Sequence, residues 1–415
     1  MSERSFLPIF ASRCRSSNRP TLGPTALLVP ALLGFVLACH EDTQSPTEPI
    51  ESSPSVALAA AALSFYQVDG GDTYTCGITT DNRAYCWGDN WAGQLGDGTT
   101  TGRLTPRPVL GGLRFRNISA GWATTCAVTT DFKAYCWGYG GAGRIGDGTT
   151  LERHTPTRVA GTTRFRQIET GTSHTCAVGY DDRLPYCWGD NRYGQLGEGS
   201  RNSHLTPLAA AGKLRMREVH AGYYHTCGVT TGNVAFCWGW NQAGQVGQST
   251  PGAYYDKPTR VSGGLQFRNM TTGWYHSCGV TTGDRVYCWG KGAEGQIGDG
   301  TMTTRFAPRA VAGSVLFDRV TGGGFFTCAE SQANKAYCWG ANNTGQFGDG
   351  SSTSRSRPTL AAGGLSVAQM SAGYGHTCAK TPASEGYCWG ENNPYGQVGD
   401  GTTTNRYSPV RVASP

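Results

Sequence analysis

Cysteine and histidine are the residues whose types and spacing could support chemistry in this 415-residue chain. Fourteen of its 16 cysteines fall into pairs: Cys76/Cys86, Cys126/Cys136, Cys176/Cys187, Cys227/Cys237, Cys278/Cys288, Cys328/Cys338 and Cys378/Cys388. Trp-Gly follows the second member each time. Such a pair could close a disulfide, stay as two buried thiols, or offer two thiolates to a metal. Zinc needs four ligands, and this spacing supplies two with no fixed second pair. His174, His225, His276 and His376 each stand two residues before a first cysteine, so a ring of imidazoles could bind a metal or move protons. The other copies carry Tyr74, Thr124 and Phe326 there, which suits packing better than chemistry.

Other polar groups recur as turns. Gly93–Thr99 (GQLGDGT) and its counterparts lack the density of oxygen ligands a calcium loop needs, and read as Gly/Asp turns. Arg103, Arg153, Arg305, Arg355 and Arg406 share a T-x-x-R-x-x-P spacing and are expected to pin loops by charge-assisted hydrogen bonds. There is no G-x-S-x-G, no H-E-x-x-H and no G-x-x-x-x-G-K-[ST]. No catalytic residue, metal site or cofactor is therefore expected, and the chain reads as a non-enzyme.

These residues sit in a repeat. The first cysteines are spaced 50, 50, 51, 51, 50 and 50 residues apart, giving seven copies. The third copy holds one extra residue, placed in the Tyr180–Pro185 turn. With 61 Gly the chain cannot be a long helical protein, and the glycines have no collagen period. Aromatic residues at 11% exclude disorder over most of the length. In the second copy, Phe115–Ser119, Thr125–Thr129, Ala134–Trp137 and Pro156–Val159 read as four short strands separated by turn residues. Four strands per repeat is the pattern of a propeller blade. The fold class is all-β, a seven-bladed β-propeller.

Strand parity places Cys126 and Cys136 on one side of a hairpin, within disulfide reach. The opposite face sets large Tyr135 and Trp137 against small Ala127, and every copy has Gly or Ala after its first cysteine. Seven intrablade disulfides are the simplest reading for an exported chain, with buried free thiols as the alternative. Just after the glycine that ends each first strand, the copies differ. Trp122, Tyr223, Tyr224, Trp274, Tyr275, Phe325 and Tyr374 stand there, against Asp72/Thr73 and Thr172/Ser173. Loops at that point emerge on one rim around the central channel. The aromatics there form either an interface core or the packing of the channel mouth.

The repeated G-x-x-H-T-C-A-V…Y-C-W-G-x-N-x-x-G-Q-L-G-D-G-T resembles the regulator of chromosome condensation repeat, over about residues 63–415. The resemblance implies a seven-bladed propeller. The terminal segment Ser408–Val412 is expected to complete the blade begun by Leu63–Val68, closing the ring by pairing of the N- and C-terminal strands. A light-sensing member of the family carries G-W-R-H-T motifs at the rim. Here Trp122 and Trp274 match the Trp, but Ala123 and Tyr275 replace the Arg, so photoreception is not implied. The founding member implies guanine-nucleotide exchange, and a secreted relative implies inhibition of an enzyme by an aromatic-rich face.

The N-terminus sets the compartment. Arg4, Arg13, Arg15 and Arg19 precede an apolar run from Thr25 to Ala38, too short to cross a bilayer as a helix. Residues 1–38 read as a signal peptide of lipoprotein type, with Cys39 as the lipidated residue. Residues 39–60, acidic and rich in Pro and Ser, read as a tether, and residues 61–415 as the propeller. Removing the signal takes four Arg and one Glu and lowers the net charge from +6 to +3, which gives no case for nucleic acid. The expected function is a monomeric binding module, held at the bacterial cell envelope or secreted, that presents a propeller face to a protein or glycan. The nucleotide-exchange alternative needs a cytosolic or nuclear partner, which the signal disfavours.

Overall fold

The computed structural model describes residues 62–249 and 252–415. The expected signal, Cys39 and the tether lie outside the described residues. Short runs of four to seven residues, broken by Gly, Asn and Asp at positive φ, leave strands as the regular element. Among the described residues they form seven four-stranded antiparallel sheets, each in sequence order. The first blade is Phe65–Gly70, Tyr74–Thr79, Ala84–Gly88 and Arg103–Pro108. The last is Gln369–Ala372, His376–Lys380, Gly386–Gly390 and Arg406–Arg411. The only helical segments among the described residues are three single turns of 3-10 helix.

The second blade refines the strand bounds read from its sequence. Its strands are Phe115–Ala120, Thr124–Thr129, Ala134–Gly138 and Arg153–Arg158. The outer strand starts before the expected Pro156, because Arg153 pairs with Gly138 across a bulge. The extra residue of the third copy falls between Gly179 and Pro185, as expected.

Ring closure differs from the expectation. The terminal strand Arg406–Arg411 pairs with Gly386–Gly390 in the last blade, and Phe65–Gly70 pairs only with Tyr74–Thr79 in the first. No sheet mixes the two chain ends; Ser64 makes only an isolated bridge with Glu385, as Gln266 does with Val234 at another junction. The described chain enters the ring at an innermost strand and leaves it at an outermost one, so every blade is whole and each outer strand follows the other three of its own copy. Closure uses the same hydrogen bonds as the other junctions. On the first five inner strands an amide or carboxylate accepts from the backbone N–H of the next blade: Gln67 from Ile118, Asn117 from Ile168, Gln167 from Val219, Glu218 from Met270 and Asn269 from Val320. Gln369 closes the circle by accepting from Val68 at 3.0 Å. In the sixth blade Arg319 holds this position and cannot accept, so Glu330 on the neighbouring strand accepts from Met370 instead.

The core lies between blades. All seven disulfides form, as Cys76–Cys86, Cys126–Cys136, Cys176–Cys187, Cys227–Cys237, Cys278–Cys288, Cys328–Cys338 and Cys378–Cys388. In each the Cα atoms stand 4.1 Å apart, and the two cysteines are directly opposed across the hairpin. The free-thiol alternative is thereby set aside. Cys126 and Cys136 pack with Phe165, Ile168 and Trp188 of the next blade, and the same layer recurs at each junction. The seven Trp of the Cys-Trp-Gly motifs are fully buried. Each indole N–H donates to a loop carbonyl of the preceding blade, as Trp137 does to Gln94 at 3.0 Å. The small residue after the first cysteine is demanded by an inner-strand ring, a neighbour that hairpin parity does not identify: a Cβ on Gly77 would meet the Phe65 ring at 2.7 Å.

Candidate functional site at the mouth of the central channel

The seven inner strands surround a channel of about 520 Å³ whose lining includes Trp122, Trp274, Tyr374 and Asp72 at one end. Each inner strand ends in glycine and a two-residue loop, and successive loops hydrogen-bond to one another, as Asp72 N–H does to Gly121 O at 3.1 Å. This belt fixes the rim. The seven expected rim residues are half-buried. Six form one connected group: Tyr223 lies 5.1 Å from Trp274, Trp274 lies 4.3 Å from Tyr374, and Tyr224, Tyr275 and Phe325 fill the spaces between. Because Trp274 and Tyr374 come from the fifth and seventh blades, the group reaches across the mouth. Trp122 belongs to a second group with Trp91 and Tyr139. Trp91 is 47% exposed, so this part of the rim faces solvent.

Trp91, Tyr139, Tyr193 and Trp240 also join the rim, beyond the residues that the sequence points to. A signal exists. The residue after each Cys-Trp-Gly is Asp89, Tyr139, Asp190, Trp240, Lys291, Ala341 and Glu391, as variable as the first rim position.

The paired cysteines belong to the scaffold, and of the fourteen only Cys328 borders the channel. Cys86, Cys136, Cys187, Cys237, Cys288, Cys338 and Cys388, the second members of the pairs, are fully buried between blades and line no part of the channel. The reason is positional. They stand on the third strand of each blade, two strands out from the channel wall, with their sulfurs turned toward the next blade and bonded to their partners. Cys76, Cys126, Cys176, Cys227, Cys278, Cys328 and Cys378, one strand nearer the axis, are equally buried and held in the same bonds.

Charges divide the mouth into sectors. Arg144 stands where six copies have Gln, and its guanidinium lies 5.0 Å over Tyr139 and 5.8 Å over Trp122. It donates to the carbonyl oxygens of Thr172 and Gly141, and burial lowers its pKa. Lys291 sits 4.8 Å over the Phe325 ring. Between the seventh and first blades the sign reverses. Asp72, Asp89 and Glu391 gather there, and no described cation pairs with any of them. Burial, reinforced by Glu391 and Asp89, pushes the Asp72 carboxyl up to about 7. Its Oδ1 is buried with no hydrogen-bond partner, whereas Asp89 accepts from Thr73 and from the Asn90 N–H. Burial, then Asp72 and Glu391, push the Tyr374 phenol up as well.

The four histidines that precede the first cysteines do not converge on this channel, although His220 of an inner strand lines it. Each is buried and contacts a hydroxyl of the next blade: His174 with Thr226, His225 with Ser277, His276 with Thr327 and His376 with Thr75. Each hydroxyl gives its single proton to a loop carbonyl, as Thr327 does to Gln296 at 2.9 Å. The imidazole Nε2–H must therefore be the donor, which leaves Nδ1 without a partner. Burial holds all four pKa values at about 3, so these rings are neutral clamps between blades.

The Gly-Asp-Gly turns satisfy their own carboxylates. Asp97 accepts from Thr99 and Asn90, and Arg103 bonds its second oxygen. Arg153, Arg305 and Arg406 repeat the contact with Asp147, Asp299 and Asp400. Arg355 departs from the expected set and forms no ion pair among the described residues; its side chain is exposed. Among the described residues no group of three or more His, Cys, Asp or Glu is arranged to hold a metal.

A seven-bladed ring of self-contained, sequence-ordered blades with an aromatic channel mouth defines the chain as a β-propeller. The RCC1-like domain family matches residues 33–317, and the regulator of chromosome condensation (RCC1) repeat matches residues 334–379. The chain belongs to the RCC1-like domain family. It is similar to the ultraviolet-B receptor UVR8 of Arabidopsis thaliana, with 30% identity over 127 residues, 30% of this chain and 29% of the receptor. The matched stretch thus spans less than a third of that relative. The fold is similar to that of human WBSCR16, with TM-score 0.72 and 21% identity over 80% of this chain and 94% of that one. It is also similar to Prp20p of Saccharomyces cerevisiae, with TM-score 0.70 and 18% identity over 85% and 87% of the two chains. No helix among the described residues is long and apolar enough to cross a membrane. Seven disulfides are consistent with an extracellular protein.

Proposed function

We propose that this propeller is a protein-binding module whose docking face is the aromatic channel mouth. The observation that carries the reading is the connected group Tyr223, Tyr224, Trp274, Tyr275, Phe325 and Tyr374, half-buried and gathered from four blades. Aromatic residues clustered around a central pocket are what interface energetics favour. Family membership supports it: Prp20p has binding properties toward Gsp1p and histones. Export supports a different partner here, because disulfides of this number belong to an oxidising compartment and not to the nucleus or cytosol. The proposal therefore includes residues 1–38 as signal, lipid on Cys39, and residues 39–60 as the tether that holds the propeller at the cell envelope.

The test is capture from envelope extracts of the source cell by the full chain and by a variant with Trp122→Ala, Tyr223→Ala and Trp274→Ala. A partner retained by the parent and lost by the variant, with an unchanged melting midpoint, supports the rim. Equal capture by both overturns it.

A further inference from the structure

The rim carries a sign as well as a shape. Three cations lie against rings of the mouth: Arg144 over Tyr139 and Trp122, Arg192 over Tyr224, and Lys291 over Phe325 and Tyr275. The remaining sector inverts the arrangement. Tyr374 and Trp274 pack on one another with ring centroids 4.3 Å apart, which leaves their outer faces, and Asp72, Asp89 and Glu391 provide carboxylates, but the chain places no described cation among them. In four of the Gly-Asp-Gly turns the chain supplies a counter-charge: Asp97, Asp147, Asp299 and Asp400 each have their arginine. Asp72 is the exception that matters most, because one of its oxygens is buried and accepts nothing. The Tyr374 N–H donates to Gly71 O at 3.0 Å, which ties the tyrosine beside this carboxylate.

We propose that the sector bounded by Asp72, Glu391, Trp274 and Tyr374 receives a lysine or arginine side chain projecting from the protein partner. The inference rests on the rim reading above and names the chemistry of its occupant. A cation over aromatic faces and beside unpaired carboxylates gains from both, more so where water is excluded. Asp89 is held by Thr73 and Asn90 and serves as background charge, whereas Asp72 keeps an oxygen without a partner and Glu391 adds a second carboxylate beside it.

The experiment titrates the full chain with the blocked tripeptide acetyl-Gly-Lys-Gly-amide, followed by saturation-transfer NMR, against the same tripeptide with Gln or Glu in place of Lys. The expected result is saturable binding of the lysine peptide, with transfer concentrated on its side-chain methylenes and at least tenfold weaker binding of the other two. Asp72→Asn with Glu391→Gln should weaken the lysine peptide about tenfold while the melting midpoint holds. Equal binding of lysine and glutamine peptides, or unchanged binding to the carboxamide variant, overturns the proposal. Partner capture separates this inference from the one beneath it. Capture lost in the aromatic variant but kept in Asp72→Asn/Glu391→Gln overturns the cation site and leaves the rim reading standing. Capture kept in both overturns the rim reading too. A dimer of the parent that dissociates in the carboxamide variant assigns the pocket to a second copy and overturns the assignment to a separate partner.

Discussion

Replacing His276 with phenylalanine should remove part of this protein's sensitivity to acid. The side chain is fully buried, its Nε2–H donates to Thr327 at 2.8 Å, and its Nδ1 has no partner. Protonation would put a charge on a nitrogen that nothing accepts from, so burial alone lowers the pKa from 6.5 to about 3. The sign follows from proton uptake. Below pH 6.5 the unfolded chain binds a proton here and the folded chain does not, so stability falls as pH falls, down to about 3. At about 1.4 kcal/mol per pH unit, moving from neutral pH to about pH 5 removes about 2 kcal/mol for this one residue. Burial is also the leading cause at His174, His225 and His376, and the direction is the same, so the four act together to make the protein acid-sensitive. Asp69 and Asp72 act in the opposite sense. Burial raises both carboxyls to about 7, so the folded state keeps their protons and gains stability as pH falls from about 7 toward 4.

The wild-type profile is therefore a contest, and the variant isolates one side of it. Phenylalanine fits because the sixth blade already has Phe326 at this position, against Gly323 as His276 lies against Gly273. The loss of one hydrogen bond should lower stability at neutral pH by about 1 kcal/mol. The informative quantity is the change between pH values. Urea unfolding with disulfides intact, followed by tryptophan fluorescence, should show that the drop from about pH 7.5 to about pH 5 is about 2 kcal/mol smaller in His276→Phe than in wild type. An identical drop in both proteins would refute the assignment of His276 as a buried neutral clamp.

Other expectations concern the scaffold. Cys126→Ala with Cys136→Ala opens a loop of ten residues and should lower stability by somewhat under 3 kcal/mol, read from the urea midpoint. The native protein should resist a thiol reductant until it unfolds, because all fourteen sulfurs are buried; free-thiol titration with and without urea checks this. Glu330→Val should orphan the Met370 N–H and lower stability by about 1–3 kcal/mol. Adding Arg319→Gln, which restores the acceptor the other blades use, should recover most of it, and additive losses in the double variant would contradict the substitution of one acceptor for another.

How much of this is legible in the sequence depends on repetition. Positions that recur in all seven copies announce their roles: the Cys pairs, the buried Trp after the second Cys, the glycine turns and the small residue after the first Cys all read as scaffold, and the strand count per blade follows. Ring closure is not legible, for a physical reason. The acceptors that close it, Gln67 through Gln369, sit on a channel-facing position whose identity shifts among Gln, Asn and Glu, and hydrogen bonding to the next blade leaves no period along one strand. The first rim position stands out because its aromatics break the repeat. The second, after Cys-Trp-Gly, is as variable and includes Trp240 and Tyr139, but hairpin parity says nothing about which loops meet at the channel axis, so its variation does not by itself point to the rim.

That division bears on where specificity resides. Seven junctions use the same indole-to-carbonyl bond, and six of the seven carbonyls belong to glutamine while the seventh belongs to Arg144. The backbone acceptor is kept, so the indole bond itself does not depend on which side chain stands at that position; glutamine there accepts a loop N–H, as Gln94 does from Ala92, and Arg144 instead donates to Gly141 and Thr172. Arg144 also places a buried cation under Tyr139 and Trp122. The same logic applies to Asp72, whose backbone N–H continues the belt of loop hydrogen bonds while its carboxylate departs from the aromatic pattern. Where the bond between blades is made by the backbone, a side chain of the rim can be substituted with little penalty to the ring. Arg144→Gln should thus leave the melting midpoint within about 3 °C, as expected for a loss of up to about 1 kcal/mol in a large domain, while altering partner capture. A larger fall in the midpoint would show that the arginine side chain, and not its carbonyl, holds the junction.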